Sequence, residues 1–123
     1  MRPFLLTLLL AAASAAFADD TPSLNGKWQI QRSAAGNEST QDCTFTQKDN
    51  DLTGSCTSAD SPSVQITGKV EGKKVTMTYK SEYNGSPLTV VYNGTVESAT
   101  KIAGTLTAVE FGVEGVFTAT KSE

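Results

Sequence analysis

The chain contains no histidine, so it lacks the side chain that most often acts as a general base or metal ligand near neutral pH. Chemistry would therefore depend on carboxylates, tyrosines and lysines. Glu110 and Glu114 flank Phe111 at a spacing that would suit a carboxylate pair. Catalytic pairs require burial and a polar shell that separates their pKa values, whereas loop glutamates are usually solvated. The sequence predicts no catalytic residue, no metal site, no cofactor and a protein that is not an enzyme.

Two cysteines, Cys43 and Cys56, are the next residues with chemical potential. A tight turn at residues 49–50 would place Cys43 opposite Cys56 and Phe45 opposite Gly54 on one side of a hairpin, close enough to bridge. Paired cysteines in an exported chain usually form a structural disulfide. The sequence therefore predicts a Cys43–Cys56 disulfide, and a reactive or metal-binding pair is the alternative.

Five further residues are candidates for contact with a ligand or partner. Tyr79 and Tyr92 fall on the apolar face of neighbouring predicted strands, where their hydroxyls would meet a ligand or their rings would fill the interior. Tyr83 and Asn84 lie between two predicted strands, and Phe111 has no place in the strand alternation. An exposed aromatic side chain at Phe111 would be available to a ligand or a protein partner.

The N-terminal segment has the pattern of a secretory signal. Residues 1–18 combine basic Arg2, an apolar run over 4–13 and a small-residue ending. We therefore predict a signal peptide over 1–18, a short flexible tail over 19–23 and one domain over 24–123. No later segment approaches the roughly 18 consecutive apolar residues of a membrane span. The expected location is secreted or periplasmic.

The charge balance argues against nucleic acid as a partner. Arg2 is one of ten basic residues, which leaves nine in the exported chain against 13 acidic residues. A nucleic-acid-binding protein would be expected to show a clustered basic face, whereas only Lys73 and Lys74 are adjacent. We therefore expect no nucleic-acid partner.

From Leu24 onward, apolar and polar residues alternate with a period of two, which is typical of strands that bury one face. The predicted strands cover residues 24–32, 41–47, 52–57, 64–70, 75–81, 88–96, 102–108 and 115–121. Glycines recur on the apolar face, and a sheet that bends sharply to close on itself would explain them. The sequence predicts an all-β fold, an eight-stranded antiparallel up-and-down barrel with one disulfide.

The predicted connections differ in length between the two ends of this barrel. The longer ones, of six to eight residues, cover 33–40, 58–63, 82–87 and 109–114, and the shorter ones cover 48–51, 71–74 and 97–101. Alternate connections of an up-and-down barrel lie at the same end. We therefore expect a tight end and a long-loop end, with function at the latter because binding residues concentrate on loops.

The triplet Gly26-Lys27-Trp28, on the first strand of an eight-stranded meander, resembles the opening of the calycin superfamily, which comprises lipocalins, fatty-acid-binding proteins and avidins. The segment 24–28 is most similar to an avidin-type start. The resemblance implies that Gly26 and Trp28 close one end of the barrel and that Lys121 packs over Trp28 in a cation–π contact. Avidins surround biotin with several tryptophans, so the single tryptophan here argues against biotin as the ligand.

The Gly-x-Trp opening combined with one disulfide also resembles the small bacterial inhibitors of secreted metalloproteases. The sequence predicts an exported, non-enzymatic barrel that binds a small hydrophobic ligand or a protein partner at its long-loop end. Two alternatives stay open at this point, an inhibitor of secreted proteases and a structural envelope protein with a filled core.

Overall fold

The chain forms a closed barrel of eight antiparallel strands in sequence order. The computed structural model describes residues 23–59 and 61–122, so the predicted signal peptide and the tail up to residue 22 lie outside the described residues. The strands are β1 (Gly26–Ala34), β2 (Asn37–Lys48), β3 (Asp51–Ser58), β4 (Ser61–Glu71), β5 (Lys74–Tyr83), β6 (Ser86–Ser98), β7 (Lys101–Ala108) and β8 (Val113–Lys121). The predicted eight-stranded up-and-down barrel is confirmed.

The apolar face of the alternating pattern forms the barrel interior. β1 pairs with β2 on one side and with β8 on the other, so every strand has two neighbours. The buried apolar residues are Leu24, Trp28, Ile30, Cys43, Phe45, Leu52, Cys56, Ile66, Val70, Val75, Met77, Tyr79, Val90, Tyr92, Val96, Ile102, Leu106, Phe117 and Ala119. Burial of these side chains is the main stabilising contribution, because transfer of apolar surface from water drives folding.

Glycines permit the close approach of neighbouring strands, as the β6–β7 pair shows. Gly94 lies directly opposite Gly104 in the register. A Cβ atom added at Gly104 would meet the carbonyl oxygen of Asn93 and would lie 2.6 Å from the Cα of Gly94. A larger residue at this position would therefore force the two strands apart, which agrees with the expectation that inward-facing glycines let the sheet bend and close.

The predicted disulfide is confirmed. Cys43 lies opposite Cys56 and Phe45 lies opposite Gly54 in the β2–β3 pair, and the two sulfurs are bonded. The hairpin turns at residues 49–50, where Asp49 adopts a left-handed conformation with φ of 57°. Both cysteines are buried, so the disulfide forms part of the core.

One end of the barrel, which we call the tight end, carries the turns at residues 49–50, 72–73 and 99–100. Each of these turns is bonded to the strand beyond its own hairpin. The backbone amide of Val70 donates to Asn50, that of Val96 donates to Lys73, and that of Lys121 donates to Thr100. These repeated bonds fasten successive hairpins together and close this end.

Trp28 lies inside the tight end and is only 1% exposed. Its Nε1 donates to the carbonyl oxygen of Leu24 at 3.0 Å, and its ring centroid lies 6.2 Å from that of Phe45. Leu24 is fully buried and precedes β1, which begins at Gly26 rather than at residue 24 as expected. Lys121 pairs with Trp28 across the β1–β8 seam. The cation–π contact between them, which the resemblance implies, stays a prediction.

The opposite end, which we call the mouth, differs from the expectation of long loops. The strands continue beyond their predicted limits, so that β1 ends at Ala34 and β2 already begins at Asn37. Two-residue connections therefore join β1 to β2, β3 to β4 and β5 to β6, and only the β7–β8 connection, residues 109–112, is longer. It forms a single 3₁₀ turn over Val109–Phe111.

Hairpin geometry explains why two of the predicted long loops, 33–40 and 82–87, are two-residue turns in the structure. Ala35 and Gly36, like Asn84 and Gly85, adopt positive φ values of 52° and 81°, and 53° and 81°, respectively. Two consecutive residues with positive φ give a turn whose twist matches that of the flanking strands. The polar residues beside these turns belong to the strands and continue the pairing between them as exposed strand ends. Their composition, however, is typical of loops.

Candidate functional site

The barrel interior opens at the mouth into a cavity of about 260 Å³, which we call the cup. Its apolar wall consists of Ala34, Pro62, Val64, Leu88, Val90, Leu106 and Ala108. Its polar lining consists of Arg32, Asn37, Ser39, Gln41, Ser58 and Ser81, with Glu82 at the rim, and Tyr79 and Tyr83 supply aromatic surface. Larger depressions, up to about 610 Å³, lie on the outer face of the barrel, where the strands present mostly polar side chains.

The walls of the cup come from the last inward-facing positions of the strands. Val64 on β4, Leu88 on β6 and Ala108 on β7 are half-buried, whereas inward residues nearer the tight end, such as Ile66 and Met77, are fully buried. These three residues line the cup, so apolar surface remains accessible there. The interior is therefore filled with side chains towards the tight end and hollow at the mouth.

Arg32 forms the floor of the cup. It follows Trp28 and Ile30 at every second position of β1, so its side chain shares their inward face. Its Nη1 donates to the Tyr79 hydroxyl at 2.6 Å and to the Tyr92 hydroxyl at 3.3 Å. Its Nε donates to Oγ of Ser39 at 3.0 Å. The guanidinium is thus held in one orientation by three uncharged oxygens from three different side chains.

Beneath the floor, Tyr92 and Gln41 complete a buried polar network. The Tyr92 hydroxyl donates to Oε1 of Gln41 at 2.7 Å, and Gln41 is only 3% exposed. The rings of Tyr92 and Tyr79 lie 6.1 Å apart between centroids. Burial raises the pKa of Tyr92 well above its ordinary value, although Arg32 acts in the opposite direction. The phenol therefore stays protonated and remains able to donate to Gln41.

The charge of Arg32 is retained in this environment. Burial acts to lower the pKa of the Arg32 guanidinium, but the neighbouring Tyr92 and Tyr79 raise it by more, so that it lies above its ordinary value. An arginine at this position is a cation at every physiological pH. The floor of the cup is consequently a fixed positive charge surrounded by neutral hydrogen-bonding groups.

The rim of the cup carries an exposed aromatic pair. Tyr83, at the end of β5, is 60% exposed and Phe111, in the 3₁₀ turn, is 47% exposed. Their ring centroids lie 5.9 Å apart in an edge-to-face arrangement. The two aromatic residues from distant parts of the sequence therefore form one apolar surface beside the opening.

Glu110 fastens the 3₁₀ turn to the wall of the barrel. Its carboxylate accepts from the backbone amide of Thr89 at 2.6 Å and from the Thr89 hydroxyl at 2.7 Å. These bonds, first from the side chain and then from the backbone of Thr89, lower the pKa of Glu110. Glu110 therefore anchors the connection that carries Phe111, and its environment is that of a structural hydrogen-bond acceptor.

The five candidate residues do not all come together. Tyr79 and Tyr83 line the cup, Tyr92 lies just below its floor, and Phe111 contacts Tyr83 at the rim. Asn84 instead occupies the β5–β6 turn and does not line the cup.

Arg32 and Gln41 were missed by the sequence analysis, which took its ligand or partner candidates from the aromatic residues and Asn84. A signal for both was present, since strict alternation places Arg32 in line with Ile30 and places Gln41 in line with Cys43. A charged or amide side chain at an inward position of a barrel strand is the feature that would have identified the floor.

The described residues contain no group of three or more histidine, cysteine, aspartate or glutamate side chains that could hold a metal ion. Within the same ranges, no helix has the length and apolar character needed to cross a membrane.

No family model matches the sequence, and a search of curated proteins gave no match. The chain is similar in structure to a solved protein described as a redesigned β-barrel, with a TM-score of 0.59 and 20% sequence identity. The similarity covers 81% of this chain and 92% of that one. At this level of identity the likeness supports the barrel fold alone.

Proposed function

We propose that this protein is an exported, non-enzymatic binding protein that holds a small hydrophobic molecule in the cup. The observation that carries the proposal is the open cavity of about 260 Å³ with an apolar wall above a filled core. Small-molecule sites commonly have volumes of about 300–1,000 Å³, are mostly apolar and contain a few fixed polar groups. The cup lies just below this range, which favours a ligand of modest size.

The fold and the covalent structure are compatible with this proposal. A barrel of eight strands has room inside for side chains or for one small ligand, and here side chains leave the mouth open. The resemblance to calycins, whose first strand carries a similar Gly-x-Trp triplet, favours the same use of the fold. The Cys43–Cys56 disulfide and the signal-like pattern over residues 1–18 favour an oxidising location outside the cytoplasm.

Titration with an uncharged ligand, followed by two-dimensional NMR, tests the proposal. We expect 1-octanol to shift the backbone signals of cup residues such as Leu88 and Leu106 and to leave those around Trp28 unchanged. The variant Ala108→Phe adds a ring inside the cup and should abolish binding. Ala103→Phe adds the same ring on the outward face of the same strand and should bind as the unmodified protein does.

The titration also separates this proposal from its alternatives. Saturable shifts confined to residues outside the cup, or equal loss of binding in both variants, would contradict a ligand in the cup. The rim supports a second candidate, a protein partner that docks on Tyr83 and Phe111, because these exposed aromatic side chains form one apolar surface. A secreted protease inhibited by the unmodified protein and not by Phe111→Ser would favour that candidate.

A further inference from the structure

The positive charge at the floor of the cup has no negative partner among the described residues. No carboxylate oxygen of residues 23–59 or 61–122 lies within 4.0 Å of the Arg32 guanidinium nitrogens; the ion pairs of these ranges are Lys69–Asp51 and Lys101–Glu97. Glu82 lines the cup only at its exposed rim. A partly buried cation compensated only by neutral hydroxyls is stabilised further when an anion comes close.

One nitrogen of Arg32 is also free to bind. A guanidinium carries five N–H donors, of which Nε uses one on Ser39, and Nη1 uses two on Tyr79 and Tyr92. Nη2 donates to none of the described residues. Every buried side-chain nitrogen or oxygen atom in these ranges has a hydrogen-bond partner. Because Nη2 has none among the described residues, it is not buried. Two donors on Nη2 are therefore not enclosed by the protein, and Arg32 lines both the cup and a depression on the outer face that it shares with Glu38.

We propose that the ligand of the cup carries a carboxylate group, which binds Nη2 of Arg32, and an apolar tail, which lies along the wall towards the rim. The inference rests on the proposed function and adds the chemical class of the ligand. The Tyr79 hydroxyl lies 2.6 Å from Nη1 and lines the cup, so it can donate its own proton to the same carboxylate. Hydrogen bonds from a fixed guanidinium to a carboxylate are among the stronger ones in proteins.

The geometry favours this orientation over its reverse. The cation lies at the closed end of the cup, while the apolar residues Leu88 and Ala108 line the wall above it and Tyr83 and Phe111 stand at the opening. A carboxylate at the rim would leave the tail against charged Arg32. A carboxylate at the floor satisfies the cation and places the tail on apolar surface.

Three ligands of equal chain length test the inference. Octanoate, 1-octanol and octylamine differ only in the head group, and each is titrated near neutral pH with NMR detection. We expect octanoate to bind at least about tenfold more tightly than 1-octanol, since a hydrogen bond between two charged groups is stronger than one to a neutral hydroxyl. We expect octylamine to bind more weakly than either, because its ammonium group would be repelled by Arg32.

Variants assign the preference to Arg32. Arg32→Gln should remove the preference for octanoate over 1-octanol, whereas Arg32→Lys, which keeps the charge, should retain part of it. Lys73→Gln, at the tight end, removes one positive charge far from the cup and should leave both affinities unchanged. Circular dichroism and thermal unfolding establish that each variant is folded before it is titrated.

The possible outcomes distinguish this inference from the proposed function beneath it. Equal affinity for octanoate and 1-octanol, or a preference that survives Arg32→Gln, would overturn the carboxylate inference and leave a ligand in the cup. Tighter binding of octylamine would overturn it as well. If none of the three ligands gives saturable shifts in the folded protein, the cup binds no such ligand and both proposals fail.

Discussion

Tyr92 links the packing of the core to the chemistry of the cup. Its ring is fully buried against Phe117, with 4.8 Å between the centroids, and its hydroxyl joins Arg32 to Gln41. The sequence placed Tyr92 and Tyr79 on the inward face, and it left open whether they fill the interior or meet a ligand. The structure gives them different positions: Tyr92 fills the core below the floor, and Tyr79 reaches the cavity. Alternation predicts which face a residue occupies, but the level at which the core stops depends on packing along the barrel axis.

Removal of the Tyr92 hydroxyl tests the buried network. Tyr92→Phe should lower the free energy of unfolding by about 2 kcal/mol, because Gln41 loses its donor in a buried position and Arg32 loses an acceptor. Tyr83→Phe removes a hydroxyl from an exposed ring at the rim and serves as the matched control. Urea unfolding curves of the three proteins give the comparison. A loss no larger in Tyr92→Phe than in Tyr83→Phe would show that the network contributes little to stability.

At the scale of elements, the strand cores were predictable and the strand ends at the mouth were not. Buried stretches such as 75–79 alternate strictly, because each inward position must be apolar. Beyond Ala34 and Ser81 both faces meet water, so the pattern no longer distinguishes a strand from a loop. The Asn84-Gly85 pair was a recognisable hairpin signal, and stronger use of it would have shortened that predicted loop.

The β7–β8 connection is fastened by the Glu110 carboxylate and should respond to acid. Because the folded pKa of Glu110 is lowered, its stabilising contribution is fully present above its ordinary pKa of 4.5 and is lost as the pH falls through the lowered folded value. On acidification from pH 6, the amide signal of Thr89 should shift with a midpoint below 4.5, the ordinary value for a free glutamate. Glu110→Gln, which keeps the size of the side chain, should remove this transition. A Thr89 signal that titrates identically in Glu110→Gln would show that another group is responsible.

For the whole molecule, the two ends of the barrel differ in a way that restricts where a ligand can enter. The tight end is closed by Leu24 and Trp28 and by the bonds between successive hairpins. The mouth is bordered by extended hairpins and by one anchored turn, and it leads to Arg32. The expected asymmetry between the ends is therefore present, but it arises from which end is filled and not from the length of the loops. A closed sheet leaves no free strand edge, so the mouth is the route to the interior.

The disulfide should stabilise the whole barrel through its effect on the unfolded chain. Cys43 and Cys56 are separated by 13 residues. On the chain-entropy model, a covalent loop of about this length raises the free energy of the unfolded state by about 3 kcal/mol, because it removes conformations from the unfolded ensemble. The double variant Cys43→Ala/Cys56→Ala should still form the barrel, because the neighbouring pair of Phe45 and Gly54 keeps the β2–β3 register.

Thermal unfolding with and without a thiol reductant measures this contribution. For a domain of about 100 residues, a loss of 1 kcal/mol lowers Tm by about 4–8 °C, so the double variant should unfold at least about 12 °C below the unmodified protein. Reductant present during unfolding should bring the unmodified protein close to the double variant, and it should leave the double variant unchanged, since that variant has no cysteine. An unmodified protein whose Tm does not respond to reductant, with a double variant of equal Tm, would mean that the β2–β3 hairpin is already structured in the unfolded ensemble and that the bond adds no constraint.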